Sequence, residues 1–591
     1  MKRSFLQRID FARAPRSWRL AAAIVMVVVL STGTAKFGLS AAFATTDRRD
    51  PMQSSVGSDC QSNLEKKGAS MSDAGRRSHQ ASHELLQHRF GRTPTDDMIE
   101  RLITSGDPLL RESLLIGMDA FCGGNLVLLH EELRKNHLLI IGATRCGKSA
   151  LLSSLAAQRI RRNTGPLIVI DMRGDDEMMH TVRLETEAAG RPFWLYTNAF
   201  YLPTRIFNQL DQRHLAALSA SQVGFFVAAS TNLVHGQGYG KGHYTSQHLR
   251  GVTAAVVERA NGGWMPTRRR ARIKSFVDLP KRLREVEKEN RELKDLHAAK
   301  TVAWQMAQIP QLNAVKGQKW FSDAAIEGAI QAWDLFIPNQ DGRYPVLYES
   351  LRVDSDEFNA AITGKLTLNL IKSGIRQFTD FCKQGWIDAP PVQVDVLIDE
   401  ASYILDRTLK NIIDQGASMG LRFIIATQDM SQLEAEDPKF AKTVFENCGN
   451  KILFTARSAN WQEELMKLSG EKALHHISYT VDGWSLSGGN TGPQDSYDGL
   501  YSVRREPGPR FERNHLIEIS DTPNRAIFIP AQSAGTTQYG GYPVVVDIPF
   551  LHRKEKYEYL QSLPWPARTE ETIVAAEFQD EWEEFVAASC R

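Results

Sequence analysis

The chain has 591 residues, 42% of them hydrophobic and 24% charged, which excludes a disordered or fibrous protein and fits an ordinary globular one. That length exceeds a usual domain of roughly 100 to 200 residues, so two or more folded units plus terminal segments are expected. A formal net charge of +2 excludes a wholesale basic nucleic-acid binder, although charge segregated along the chain can still build a local basic face. The six cysteines, Cys60, Cys122, Cys146, Cys382, Cys448 and Cys590, form no C-x-x-C pair and have no His neighbour at metal-ligand spacing. They read as scattered thiols of a reducing compartment.

Residues 20–35, LAAAIVMVVVLSTGTA, form an apolar run preceded by Lys2, Arg3, Arg8, Arg13, Arg16 and Arg19. The run falls short of the ~20 residues that span a bilayer unless it continues past Lys36. It reads either as a membrane anchor or as a cleaved secretory signal, with Ala42 and Ala44 as the small residues before the cut. The preceding positive charge favours a cytoplasmic N-terminus, so a single span would place the remainder outside. The phosphate motif described below argues for a cytosolic remainder, which a short hairpin or an inverted span would reconcile.

Residues 46–80 are polar and rich in Ser, Gly, Asp and Arg, the composition of a linker. HLLIIG at 137–142 followed by SALLSSLAAQRI predicts strand, loop and helix. PLIVID (166–171), QVDVLIDE (393–400), RFIIATQD (422–429) and KILFTA (451–456) predict further strands. Apolar runs of this length alternating with helical stretches indicate an α/β fold with a mainly parallel sheet covered on both faces. Lys148 and Asp399 lie 251 positions apart, whereas a strand-helix-strand unit takes roughly 30 residues. An inserted helical domain is therefore expected at 205–335, within which KRLREVEKENRELKDL (281–296) predicts one exposed, charge-laced helix. The expected divisions are an anchor at 1–45, the linker at 46–80, a nucleotide-binding domain in two parts at 81–204 and 336–560, and an acidic C-terminal tail at 561–591.

Residues 142–149 read GATRCGKS and fit G-x-x-x-x-G-K-[ST] at every fixed position. Gly142, Ala143, Thr144, Arg145, Cys146 and Gly147 would turn tightly enough for their N–H groups to face phosphates at the positive end of the next helix. Lys148 would reach the β and γ phosphates of ATP, and the Ser149 hydroxyl would ligate Mg2+. Asp399 and Glu400 close the run VDVLIDE, at the strand end where such sheets bind ligands. Asp399 would hold the metal shell and Glu400 would deprotonate the attacking water, so the pair predicts hydrolysis. Gln428, ending the next strand, would sense the γ phosphate or simply cap the strand.

With these motifs the chain resembles the TraG/TraD-type coupling proteins of conjugative type IV secretion systems, within the FtsK/HerA superfamily. The resemblance covers roughly 120–550 and rests on His137 before the phosphate loop, DMRGD with Asp171, Arg173, Gly174 and Asp175, the Asp399–Glu400 strand end and ATQ ending at Gln428. GQGYGKGHYT at 236–245 is similar to a Gly-rich stretch of the family. The resemblance implies a RecA-like core, an inserted all-α domain and a homo-hexameric ATPase at the bacterial inner membrane with its motor domain cytoplasmic. It further implies DNA as cargo, and secretion-channel and relaxosome-type proteins as partners. Two departures stand out. Arg145 and Cys146 replace an inner Gly and Ser, and Ala417 stands where the family places an arginine acting on the neighbouring subunit, leaving Arg422 or Arg457 to substitute.

Arg268, Arg269, Arg270, Arg272, Lys274, Lys281, Arg282 and Arg284 crowd one stretch against Asp278. They would bind phosphates without sequence preference or form a solvated basic face. Residues 568–591 set seven acids around Phe578, Trp582 and Phe585, suiting either a partner or ordinary packing. Two rival functions remain, a soluble HerA-like DNA motor and a nucleotide-binding scaffold without turnover.

Overall fold

A computed structural model describes residues 89–121, 124–134, 136–143, 145–231, 233, 242–256, 273–293, 295–387, 391–404, 407–436, 438–454, 459–480, 500–531 and 542–590. The anchor and linker segments, Thr144, Arg268, Arg269, Arg270, Arg272, Arg457 and residues 236–241 of the Gly-rich stretch lie outside the described residues.

The strands in chain order are β1 (Leu114–Asp119), β2 (Leu126–Leu129), β3 (Leu138–Ile141), β4 (Leu167–Asp171), β5 (Phe193–Thr197) and β6 (Thr204–Arg205). They continue with β7 (Val346–Ser350), β8 (Val394–Asp399), β9 (Leu421–Thr427), β10 (Asn450–Leu453), β11 (Glu471–Thr480) and β12 (Leu500–Pro509). β13 (Arg525–Ile529), β14 (Val544–Asp547) and β15 (Thr572–Ile573) complete the set among the described residues. Eleven of them build one sheet in the order β2-β1-β14-β13-β10-β3-β9-β8-β4-β7-β5. From β10 to β5 every neighbouring pair is parallel. β13, β14, β1 and β2 extend the other edge antiparallel.

From β10 to β7 every strand residue of the parallel part is buried, which is why these strands read as continuous apolar runs. Leu138, Ile140, Leu167 and Val169 join one core with Leu151, Leu152, Leu155 and Ile160 of the Lys148–Arg162 helix and Met178, Met179 and Val182 of the Asp176–Ala188 helix. Leu139, Ile141, Ile168 and Ile170 point the other way, into a core shared with the Val353–Lys383 helix and the helices that follow β6. Between β6 and β7 the described elements are helical.

One expectation changes, and for the C-terminal helix the packing alternative is the one observed. The 281–296 segment is not one exposed helix: the helix runs Leu279–Glu289, ends at Asn290 with extended backbone, and a second begins at His297. Leu279, Leu283 and Val286, at i, i+4 and i+7, are buried, so a narrow apolar stripe docks this helix despite its charge. The Gln579–Cys590 helix is packed: Trp582, Val586 and Cys590 are buried against Val277 and Phe321, and Trp582 Nε1 donates to Ala307 O at 3.1 Å. Among the described residues no helix is long and apolar enough to cross a membrane.

Candidate nucleotide site

The site lies at the carboxyl ends of β3, β9, β8 and β4, where backbone N–H groups and strand-end side chains converge. β3 leads into the phosphate loop, and Gly142 N donates to Thr427 O at 3.1 Å, tying the loop's first residue to the end of β9. A Cβ on Gly142 would lie 2.4 Å from Cys146 Sγ, so the loop folds over its own start. Gly147 has φ +107, and a Cβ there would lie 2.4 Å from Asn524 Oδ1. This residue caps the Lys148–Arg162 helix without a side-chain hydrogen bond. Ala143 and Cys146 are half-buried, Arg145 is exposed with φ 67, and Ser149 sits half-buried in the helix's first turn.

Lys148 is buried, and its Nζ donates to Glu400 Oε1 at 3.0 Å and lies 3.7 Å from Asp399 Oδ1. Gln428 Nε2 donates to the same Glu400 oxygen at 2.9 Å. Glu400 has φ 52, and its N–H donates to Asp399 Oδ1 at 3.0 Å. Asp399 Oδ2 and Glu400 Oε2 are buried with no hydrogen-bond partner. Buried carboxylate oxygens without donors are expensive, and a hydrated cation or a water would satisfy them. Burial pushes the Asp399 carboxyl above its ordinary range, with Lys148 opposing and Glu400 adding to the shift.

On the adjacent strand Asp171 pairs in register with Asp399. Its Oδ1 accepts from Arg173 N at 2.9 Å and Gly174 N at 3.0 Å, and its Oδ2 from Asp175 N at 2.6 Å and the Tyr348 hydroxyl at 2.8 Å. Burial, helped by the charges of Asp399 and Asp175, still raises it to about 7. The DMRGD turn is thus wound around one carboxylate. Arg173 Nη1 lies 3.7 Å from Glu400 Oε1.

His137 is buried before β3, its Nδ1 accepting from Phe423 N at 3.2 Å and its Nε2 facing Ile413 O at 2.9 Å. Burial lowers its pKa, so it stays neutral and links β3 to β9 and the Arg407–Met419 helix. Ala417 is exposed on that helix. Arg422 does not replace the absent arginine: it is buried at the opposite end of β9, paired with Asp395 at 3.0 Å and with Glu131. Of the basic cluster, Lys274 lies 3.3 Å from Asp211 and Arg282 2.9 Å from Glu285.

The structure therefore brings together Lys148 at the start of its helix, Asp399 and Glu400 at the end of β8 and Gln428 just past β9. Tyr348 and Asn524 were not foreseen, and neither carries a local signal, since one sits inside an apolar strand and the other in a loop. Among the described residues no group of three or more His, Cys, Asp or Glu could hold a metal. One or two carboxylates suit Mg2+, which takes its other ligands from phosphates and water.

Residues 393–500 match the family model described as the TraM recognition site of TraD and TraG. No curated protein matches the chain. Among solved structures, the bacterial conjugative coupling protein TrwBdeltaN70 in its unbound form aligns with a TM-score of 0.50 and 14% identity, over 79% of this chain and 97% of that one. TrwB in complex with ADP and Mg2+ aligns at 0.47 and 15%, over 76% and 90%. VirB4 of Thermoanaerobacter pseudethanolicus aligns at 0.44 and 12%, over 74% and 96%.

Proposed function

We propose that this chain, whose resemblance to the TraG/TraD-type conjugative coupling proteins is borne out by the family match and by its fold, is an ATP-driven DNA translocase coupling a conjugative substrate to a type IV secretion channel. The observation that carries the reading is the pairing of Lys148 with Glu400, beside Asp399 and Gln428, at the end of the phosphate-loop strand.

In this reading Gly142 to Gly147 cradle the phosphates with backbone N–H groups, and Lys148 exchanges Glu400 for the β and γ oxygens. The Ser149 hydroxyl and the Asp399 carboxylate would hold Mg2+, which would supply positive charge against the phosphate oxygens. The orphaned Asp399 Oδ2 fits that role. Glu400, freed of Lys148, takes the proton of the attacking water, and Gln428 orients that water against the γ phosphate.

The finer organisation belongs to the same reading. The core is RecA-like, with the helical insert at 205–335 between its parts at 81–204 and 336–560 and a C-terminal segment at 561–591. Membrane attachment is assigned to residues 1–45, which hold the apolar run LAAAIVMVVVLSTGTA. Six copies form a ring at the inner membrane, cytoplasmic side, around DNA gripped through phosphates. The segment 393–500 recruits a relaxosome-type partner. A nucleotide-binding scaffold without turnover is the second reading, favoured by the exposed Ala417 where a neighbour-directed arginine is expected.

The two readings separate on movement. The full-length protein in detergent, given ATP and a duplex carrying a third strand, should displace that strand, and Glu400→Gln should not. Nucleotide binding without displacement or turnover by oligomeric protein would favour the scaffold.

A further inference from the structure

The DMRGD turn places a guanidinium at the nucleotide site that its backbone duties do not require. Asp171 and Asp399 are register partners at the ends of adjacent parallel strands, so Arg173, two residues on, emerges beside Glu400. The Asp171 carboxylate accepts the N–H groups of Arg173, Gly174 and Asp175, which pins the turn. Gly174 holds φ +70, where a Cβ would lie 2.6 Å from the Arg352 side chain. Arg352 is itself tied to Asp176 at 2.8 Å. The backbone of Arg173 is therefore fixed by others, while its side chain is 43% exposed.

That side chain reaches Glu400 Oε1 at 3.7 Å, the oxygen that already accepts from Lys148 and Gln428. A charge-assisted contact closes to about 2.7–2.9 Å when it is made fully, so Arg173 is near Glu400 without being locked to it. Two cations facing one carboxylate oxygen suit a more highly charged anion, and the terminal phosphate of ATP is such an anion. Arg422 is buried at the far end of β9, and Ala417 offers no charge.

We propose that Arg173 acts on the nucleotide of its own subunit: its guanidinium, 3.7 Å from Glu400 Oε1, transfers to the γ phosphate when ATP binds. Because Lys148 and Arg173 leave Glu400 together, the base is released only when a triphosphate is present. The proposal rests on the ATPase reading of this site.

The test is equilibrium binding of ADP and of ADPNP, a non-hydrolysable ATP analogue, to the full-length protein and to Arg173→Ala, Arg173→Gln, Arg173→Lys and Arg145→Ala, each checked by thermal melting. A charged hydrogen bond contributes roughly 1.5–3 kcal/mol, so Arg173→Ala should weaken ADPNP about tenfold or more and leave ADP within about twofold. Arg173→Lys should recover part of the loss, and added guanidinium should restore turnover to Arg173→Ala. Equal weakening of ADP and ADPNP, or a loss confined to Arg145→Ala, would overturn the proposal. So would turnover regained on mixing Arg173→Ala with Lys148→Ala subunits, since that places the arginine in trans. Wild-type protein that binds neither nucleotide would overturn the ATPase reading itself.

Discussion

Lys148 Nζ and Glu400 Oε1 lie 3.0 Å apart, with only 4% and 2% of the two side chains exposed. The lysine that would hold the phosphates is thus spent on the residue that would activate water. In the proposed mechanism Glu400 cannot serve as a base while cations hold its carboxylate. Glu400→Gln should keep the hydrogen bond from Gln428 but release Lys148. We expect ATP affinity equal to wild type or tighter, with turnover reduced roughly 10²- to 10⁴-fold, the usual worth of a general base. Equilibrium binding alongside steady-state hydrolysis reads both, and weakened binding would count against the exchange of partners.

Gly147→Ala should remove nucleotide binding without unfolding the protein. Left-handed backbone costs a residue with a Cβ roughly 1–2 kcal/mol, and the added atom would also meet Asn524 Oδ1 at 2.4 Å. A modest fall in melting temperature with no detectable ATP binding is expected. Binding preserved within a factor of two would show that the loop does not need this conformation.

Trp582→Ala should destabilise the protein by about 3–5 kcal/mol, since the side chain is wholly buried and its indole N–H is bonded. Glu581→Gln and Glu583→Gln, on the exposed side of the same helix, should stay within about 0.5 kcal/mol. Denaturant titration of the three variants decides whether this helix is anchored by its aromatic face.

Acid should loosen the junction between the Pro94–Ile103, Lys148–Arg162 and Asp176–Ala188 helices. Arg161 grips Glu185 through two contacts of 2.8 Å and Asp96 at 2.9 Å. Burial would raise Glu185, but Arg161 overcomes it and holds the carboxyl at about 2. Its stabilisation is complete above the unfolded value of 4.5 and is lost as pH falls toward 2. His552 is lowered to about 4 by burial, so stability also declines as pH falls from 6.5 to 4. Urea titrations between pH 7 and 3 should show His552→Gln losing less stability than wild type from pH 6.5 to 4, because the lowered His180 and His214 and the raised Asp171, Glu177 and Glu349 titrate in both proteins. Equal losses in the two proteins would contradict the assignment.

The loop, its helix and the strand ends at Asp399, Glu400 and Gln428 were legible because each signal is local: a fixed motif, or an apolar run closed by a polar residue. Contacts between distant segments were not. Tyr348 reaches Asp171 across 177 positions, and nothing in VLYES announces a hydroxyl aimed at an aspartate. The β11–β12 ribbon was missed because EKALHHISYT and LYSVRREPGP lack the clean alternation of a half-buried strand, and β12 carries Pro507 and Pro509. The Leu279–Glu289 helix was misjudged because its charges outnumber the three apolar residues that dock it. Arg422 looked available in sequence and is committed to Asp395 in space.

The motor reading of the Lys148–Glu400 site is decided by ATP turnover of the full-length protein with and without single- and double-stranded DNA, beside Lys148→Ala and Glu400→Gln. It predicts turnover stimulated by DNA and lost in both variants. Turnover that survives either substitution, or oligomeric wild-type protein that binds ATP and never hydrolyses it, would contradict it.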